Sequence, residues 1–145
     1  MVSEMTKQSF ASGTEMQFVP AGTYQPGTCN IGPAEVRRRR TVGHGGLIAA
    51  VALLAMLVVV NVPAVTRLLV ILPATLAASG YLQARMRFCA NYGWRGIFNL
   101  GEIGDGGQVA DQAARAADRR LALRIGVGSL AIGLMAGIVA FLLPI

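Results

Sequence analysis

Hydrophobic and polar positions in this chain fall into three long apolar runs separated by polar stretches. Residues 44–61, HGGLIAAVALLAMLVVVN, hold no Asp, Glu, Lys or Arg and are almost wholly aliphatic. At about 1.5 Å of helix rise per residue this run just spans a hydrocarbon core of about 30 Å. Residues 68–82, LLVILPATLAASGYL, are shorter and cross only if Val62–Thr66 or the Gln83–Met86 end joins the helix. Pro73 lies inside that run, where it deletes one intrahelical hydrogen bond and predicts a kink. Residues 125–145, IGVGSLAIGLMAGIVAFLLPI, form a third clear span. The pattern predicts an all-α membrane protein with three transmembrane helices, against the alternative of a buried apolar hairpin in a soluble protein. None of the three runs carries a carboxylate, lysine or arginine, which disfavours autonomous ion transport and leaves open a passive pore through an oligomer.

The polar stretches predict the rest of the organisation. Residues 1–28 show no helical or strand period and are expected to form an extended or disordered arm, with Phe10, Phe18 and Tyr24 available to dock on a partner. Residues 29–100 read as a two-helix membrane hairpin, 101–108 as a glycine-rich loop, and 109–145 as one long helix ending in the third span. Pro33 at a first helical position and Glu35 in the first turn mark a helix start, after which Gly43, Gly45 and Gly46 allow the chain to turn into the bilayer or continue straight. Tyr81, Phe88, Tyr92, Trp94 and Phe98 crowd beside Arg85, Arg87 and Arg95, the composition of a headgroup-level belt. Asp111 and Arg115 stand at the spacing of a helix-supporting acid–base pair.

Charge adds an orientation. Twelve of the 13 basic residues are arginines, and they flank the apolar runs. Arg37, Arg38, Arg39 and Arg40 precede the first span, while Arg85, Arg87, Arg95, Arg115, Arg119, Arg120 and Arg124 lie between the second and third. Only Arg67 lies in the connection between the first two. Positive loops stay cytoplasmic, so the N-terminus is expected inside and Ile145 outside, with the loop before the third span on the cytoplasmic face. Arg37–Arg40, Arg85 and Arg87 are then topogenic contacts to an anionic inner leaflet, each worth on the order of 1 kcal/mol. The net charge of +6 raises nucleic acid as a partner. No aromatic-basic platform accompanies the arginines, and that reading is set aside. Hydrophobic residues at 54% and charged residues at 14% agree with a membrane protein, since soluble domains carry about 25% charged residues. No apolar signal-peptide core precedes Gly43, so the first span is expected to be a retained anchor.

Candidate chemistry is sparse. Gly133 and Gly137 make a GxxxG pattern which, with Gly126, predicts a helix-packing surface, internal or between subunits. His44, the single histidine, reads as an interfacial imidazole, or as one ligand of a cofactor whose other ligand a partner supplies. No resident cofactor or metal is expected. Cys29 and Cys89 are a possible redox pair on the cytoplasmic side, because guanidinium groups beside a thiol favour the reactive thiolate.

CNIGPAEVRRRRTVG, two closely spaced apolar helices and GYLQARMRFCANYG together resemble a family of short two-helix bacterial inner-membrane proteins of unknown function, some fused to rhodanese domains. The likeness covers residues 29–100. Asn30, Gly32, Arg37 and Arg40 look like the family's opening motif, and Cys89 with Tyr92 like its closing one; the proline that often follows the cysteine, however, is missing. The resemblance implies a multi-pass protein of the bacterial inner membrane. Taken together, these features lead to the expectation of a non-catalytic accessory or structural subunit that packs against other membrane subunits, a homo-oligomer included. The alternatives are a redox or sulfur-transfer protein working through Cys29 and Cys89, and a small homo-oligomeric channel.

Overall fold

The computed structural model describes residues 23–144. Phe10 and Phe18 lie outside the described residues. Helix α1 runs Pro33–Val59, α2 Ile71–Arg85 after a 3-10 turn at Ala64–Val70, and α4 Gln112–Leu142. Between α2 and α4 lie a short helix, α3 (Ala90–Arg95), and a hairpin of β1 (Ile97–Asn99) against β2 (Gly106–Gln108). Three helical segments are long and apolar enough to cross a membrane: Pro33–Val59, Ala64–Arg85 and Gln112–Leu142.

The first span begins earlier than its apolar run, because the helix opened by Pro33 continues through the arginines and glycines without a break. Its 27 residues reach about 40 Å, and the 31 of α4 about 46 Å. Both outlast a hydrocarbon core of about 30 Å, and in both the surplus is the arginine-bearing N-terminal end. The second span is completed from its N-terminal side by the 3-10 turn. Pro73 falls at the third position of α2, where the chain passes from 3-10 to α-helix, so its missing N–H coincides with an existing change of winding.

Helix α2 is central, packing along α1 on one side and α4 on the other, while α1 and α4 make no comparable contact with each other. Both pairs are antiparallel and close. Against α1, a Cβ on Gly46 would lie 2.6 Å from the Ala77 nitrogen, and one on Gly80 would lie 2.5 Å from that of Gly43. Gly43 and Gly46 are therefore a notch for α2 rather than a bend, whereas Gly45 is exposed with open space at its Cβ position. Against α4, a Cβ on Gly133 would collide with the Thr75 hydroxyl, and one on Gly137 with the Ile71 side chain. The predicted glycine surface is thus an internal contact. Gly126 does not belong to it. It is exposed, with nothing within 4 Å of its Cβ position. The buried stripe of α4 runs through Ile125, Ser129, Gly133 and Gly137, and Gly126 is rotated by about 100° from Ile125.

The antiparallel packing gathers Arg37–Arg40, Arg85, Arg87 and the arginines of α4's N-terminal half at one end of the bundle. At the other end, buried Arg67 donates to the Leu143 carbonyl at 3.0 Å, where a cation complements the C-terminal end of α4.

Candidate functional site

Beyond the arginine ends of the helices the polar segments form a cap. Its first fastening is the arm. The Arg87 carbonyl, aimed by a left-handed backbone with φ 50°, accepts from the amides of Asn30 and Ile31. Asn30 then pairs with the Cys89 backbone in both directions. Its Nδ2 donates to the Cys89 carbonyl at 3.1 Å, and the Cys89 amide donates to its Oδ1 at 2.7 Å. Ile31 bridges Asn99 of β1, and Gly32 lies so close to the Leu100 carbonyl that no side chain fits there. Phe88, Leu121, Ala122 and Ile125 form the apolar centre under the cap. The fully buried Phe88 alone contributes about 1.5–3 kcal/mol. It is core rather than part of the interfacial belt, whereas Trp94 is exposed and Arg119 lies 6.0 Å from its ring centre.

One knot of ionisable and nucleophilic groups sits where α1 enters the cap. Glu35 is fully buried, with Arg38 Nη1 and Arg39 Nη2 each 3.6 Å from its carboxylate and the Tyr92 hydroxyl donating to Oε1 at 3.3 Å. Arg39 also donates from Nη2 to the sulfur of Cys89 at 3.0 Å, and its guanidinium lies 6.0 Å from the Tyr92 ring centre. The guanidinium beside Cys89 therefore comes from fifty residues upstream, not from the flanking Arg87 and Arg95. A carboxylate placed in the first turn by helix-dipole logic becomes the anchor of the knot, and Arg38 and Arg39, one turn on, are its counterions.

Cys29 and Cys89 are both free thiols. The arm does fold back over the end of α2, but the side chain it lays on Cys89 is that of Asn30. Cys29, half-buried, points its sulfur toward the Ile31 carbonyl at 3.6 Å. Cys89 is fully buried. Arg37, Arg40, Arg85 and Arg87 are exposed, and the Arg38 side chain is 57% exposed despite its ion pair. His44 is exposed, its Nδ1 sharing a 2.6 Å hydrogen bond with the Tyr81 hydroxyl.

Residues 23–28 are a second fastening. The Tyr24 hydroxyl and the Gly27 amide donate to the two oxygens of buried Asp118 at 2.8 and 2.7 Å, and the Tyr24 ring stacks on Phe98. Asp111 caps α4 by accepting from the Ala114 amide at 2.9 Å, while Arg115 turns back to the Val109 carbonyl. The expected Asp111–Arg115 pair is replaced by these two backbone contacts.

Burial raises the Tyr92 phenol above its ordinary value of about 10, with the Glu35 carboxylate adding to the shift, and burial with the Asp118 hydrogen bond raises Tyr24. The folded chain thus keeps protons that the unfolded chain releases. Stability from both phenols is complete below about pH 10 and is lost as pH rises past it. In an ultraviolet titration their tyrosinate bands are expected to appear at higher pH in the folded protein than in the denatured chain. Exchanging both for phenylalanine should flatten the alkaline decline; an unchanged slope would refute the assignment.

A groove of about 690 Å³ lies over α2 between α1 and α4. Its floor is Ala74, Ala77 and Ala78, its walls are apolar side chains of α1 and α4, and Tyr81 and Arg85 stand at the arginine end. Neither the groove nor the α1/α2 notch emerged from reading the sequence. The signal for the notch was present in the recurrence of Gly43, Gly46 and Ala50 on α1 and of Ala77, Gly80 and Ala84 on α2, small residues three to four apart. Compared with protein-family models, with curated proteins and with solved structures, the chain matches none.

Proposed function

We propose that this chain is a non-catalytic accessory or structural subunit of a larger membrane assembly, lying in the bilayer with its N-terminus and arginine-bearing cap on the cytoplasmic side. The observation that carries this reading is how little of each span the chain covers by itself: 22–28% of the three apolar windows is buried. Leu130, Leu134 and Ile138 make an uncovered stripe along α4, available to other membrane helices. The polar chemistry points the same way. Glu35, Asp118, Asn30 and Arg67 are buried and spend their hydrogen bonds and charges on fastening the cap and helix ends. Photocrosslinkers at Leu134 and Ile138 in intact membranes are expected to give discrete protein adducts. Lipid adducts alone would overturn the reading. Reporter fusions near residue 103 and after Ile145 test the orientation separately.

Kinship with the short two-helix inner-membrane family draws support from where its motif residues meet. Asn30 and Gly32 from one end and Cys89 and Tyr92 from the other converge in the cap, Asn30 on the Cys89 backbone and Tyr92 on Glu35. Placement in a bacterial inner membrane rests on that kinship.

A second reading, a redox or sulfur-transfer protein working through Cys29 and Cys89, is favoured by the Arg39 guanidinium on the Cys89 sulfur. Against it stands the burial of that sulfur beneath the latched arm. Slow alkylation of Cys89 in native membranes, without protection by mild oxidants, would exclude it. A channel formed by several copies has less behind it, since apart from Tyr81 and Arg85 the groove is lined by apolar side chains.

A further inference from the structure

We propose that the groove between α1 and α4 binds an anionic phospholipid of the arginine-side leaflet, with one acyl chain along the alanine floor of α2 and the phosphate on Arg85. This rests on the membrane placement proposed above.

The shape comes first. Because α2 separates α1 from α4, the two outer helices stand apart and leave an open trough rather than a closed cavity. Its walls include Val51 on α1 and Met135 and Val139 on α4, all more than half exposed. A volume of about 690 Å³ lies within the range of ligand pockets, about 300–1,000 Å³. Ala74, Ala77 and Ala78 keep the floor low, so a flexible chain can lie flat along it.

Length fits one leaflet. From Arg85 back to Ala74 is eleven residues of helix, about 16 Å, which matches half of a hydrocarbon core of about 30 Å. A chain hung from Arg85 therefore reaches the far edge of the alanine floor at the bilayer midplane.

Charge selects the occupant. Arg85 is exposed and, among the described residues, makes no ion pair or hydrogen bond. One turn inward on the same face, Tyr81 lines the groove, and its hydroxyl shares a hydrogen bond with the exposed His44. The antiparallel packing brings Arg40 on α1 and Arg124 on α4 close to the same level, both exposed. An apolar helix entering the trough would bring no charge to Arg85, and a phosphodiester brings one together with an apolar tail. A zwitterionic lipid offers the same tail without the net charge, so headgroup charge is the discriminating variable.

The full chain is purified in mild detergent, and native mass spectrometry counts lipid retained from equal additions of phosphatidylglycerol and phosphatidylcholine. Phosphatidylglycerol is expected to be retained about five-fold better, the worth of one arginine at an anionic surface. Arg85→Gln should bring the ratio close to one. Met135→Trp, at an exposed wall position that needs no repacking, should lower retention of both lipids. Carbonate extraction of each variant reports insertion independently, so loss of the membrane reading shows as extraction and loss of the lipid site as altered retention alone. Equal retention of the two lipids by the wild type, an unchanged preference in Arg85→Gln, or disulfide capture of a second copy between Val51→Cys and Met135→Cys would each overturn the proposal.

Discussion

Gly80→Leu is expected to separate α1 from α2 and to cost about 3 kcal/mol or more, the upper part of the range for overpacked interiors. The reason is what the new side chain meets. A Cβ at Gly80 would lie 2.5 Å from the Gly43 nitrogen, 2.7 Å from the Gly43 Cα and 2.8 Å from the Arg39 carbonyl oxygen. All three are backbone atoms of a helix, so no rotamer change relieves the contact and α1 itself must move. Movement there pulls Arg39, one turn before Gly43 on α1, away from the Cys89 sulfur, while its i,i+4 pair with Glu35 on the same helix moves with it. Insertion should be unaffected, because leucine is more apolar than glycine. Thermal unfolding in detergent, followed by circular dichroism, gives the readout. Gly126→Leu is the control, with open space at its Cβ position and an expected change within about 0.5 kcal/mol. Equal melting of the two variants would show that the close approach of α1 and α2 does not hold the bundle together.

Hydropathy made the three spans legible, because a run without charge has few other uses in a chain this apolar. Helix packing was legible only where one motif carried it. Gly133 and Gly137 stood out as GxxxG, but the α1/α2 notch is split between two segments some thirty residues apart, and no local pattern says that Gly43 faces Gly80. The same limit explains Gly126, which is close to the stripe in sequence and off it in angle. In the cap, residue type misled where the partner was distant. Phe88 reads as a belt aromatic beside arginines, and becomes core because α4 brings Leu121 and Ile125 over it. Cys89 reads as paired with its flanking arginines or with Cys29, whereas Arg39 and Asn30 reach it through the fold. The β-hairpin went unseen because β1 is three residues long and β2 is Gly-Gly-Gln, too short and too glycine-rich to show alternation.

Asp118→Ala is expected to release residues 23–28 from α4 while the Asn30–Cys89 latch stays closed. The carboxylate is fully buried and accepts from two donors across some ninety residues of sequence, Tyr24 Oη at 2.8 Å and the Gly27 amide at 2.7 Å. Hydrogen bonds to a charged group contribute about 1.5–3 kcal/mol each, so losing both should cost at least about 3 kcal/mol locally. Gly27 makes the contact depend on glycine, since its φ of 64° is left-handed and a Cβ would press on Ala117. Stacking of Tyr24 on Phe98 is too small to hold the segment alone, about 0.5–1.5 kcal/mol beyond burial. Amide exchange at Gly27 should therefore rise by about two orders of magnitude in Asp118→Ala and by less in Tyr24→Phe, which keeps the Gly27 bond and the ring stack. Exchange at Cys89, whose amide is held by Asn30 and not by Asp118, should stay slow in both. If Cys89 opens together with Gly27, the two fastenings are one cooperative unit, and the picture of independent latches at residues 23–28 and at Asn30 fails.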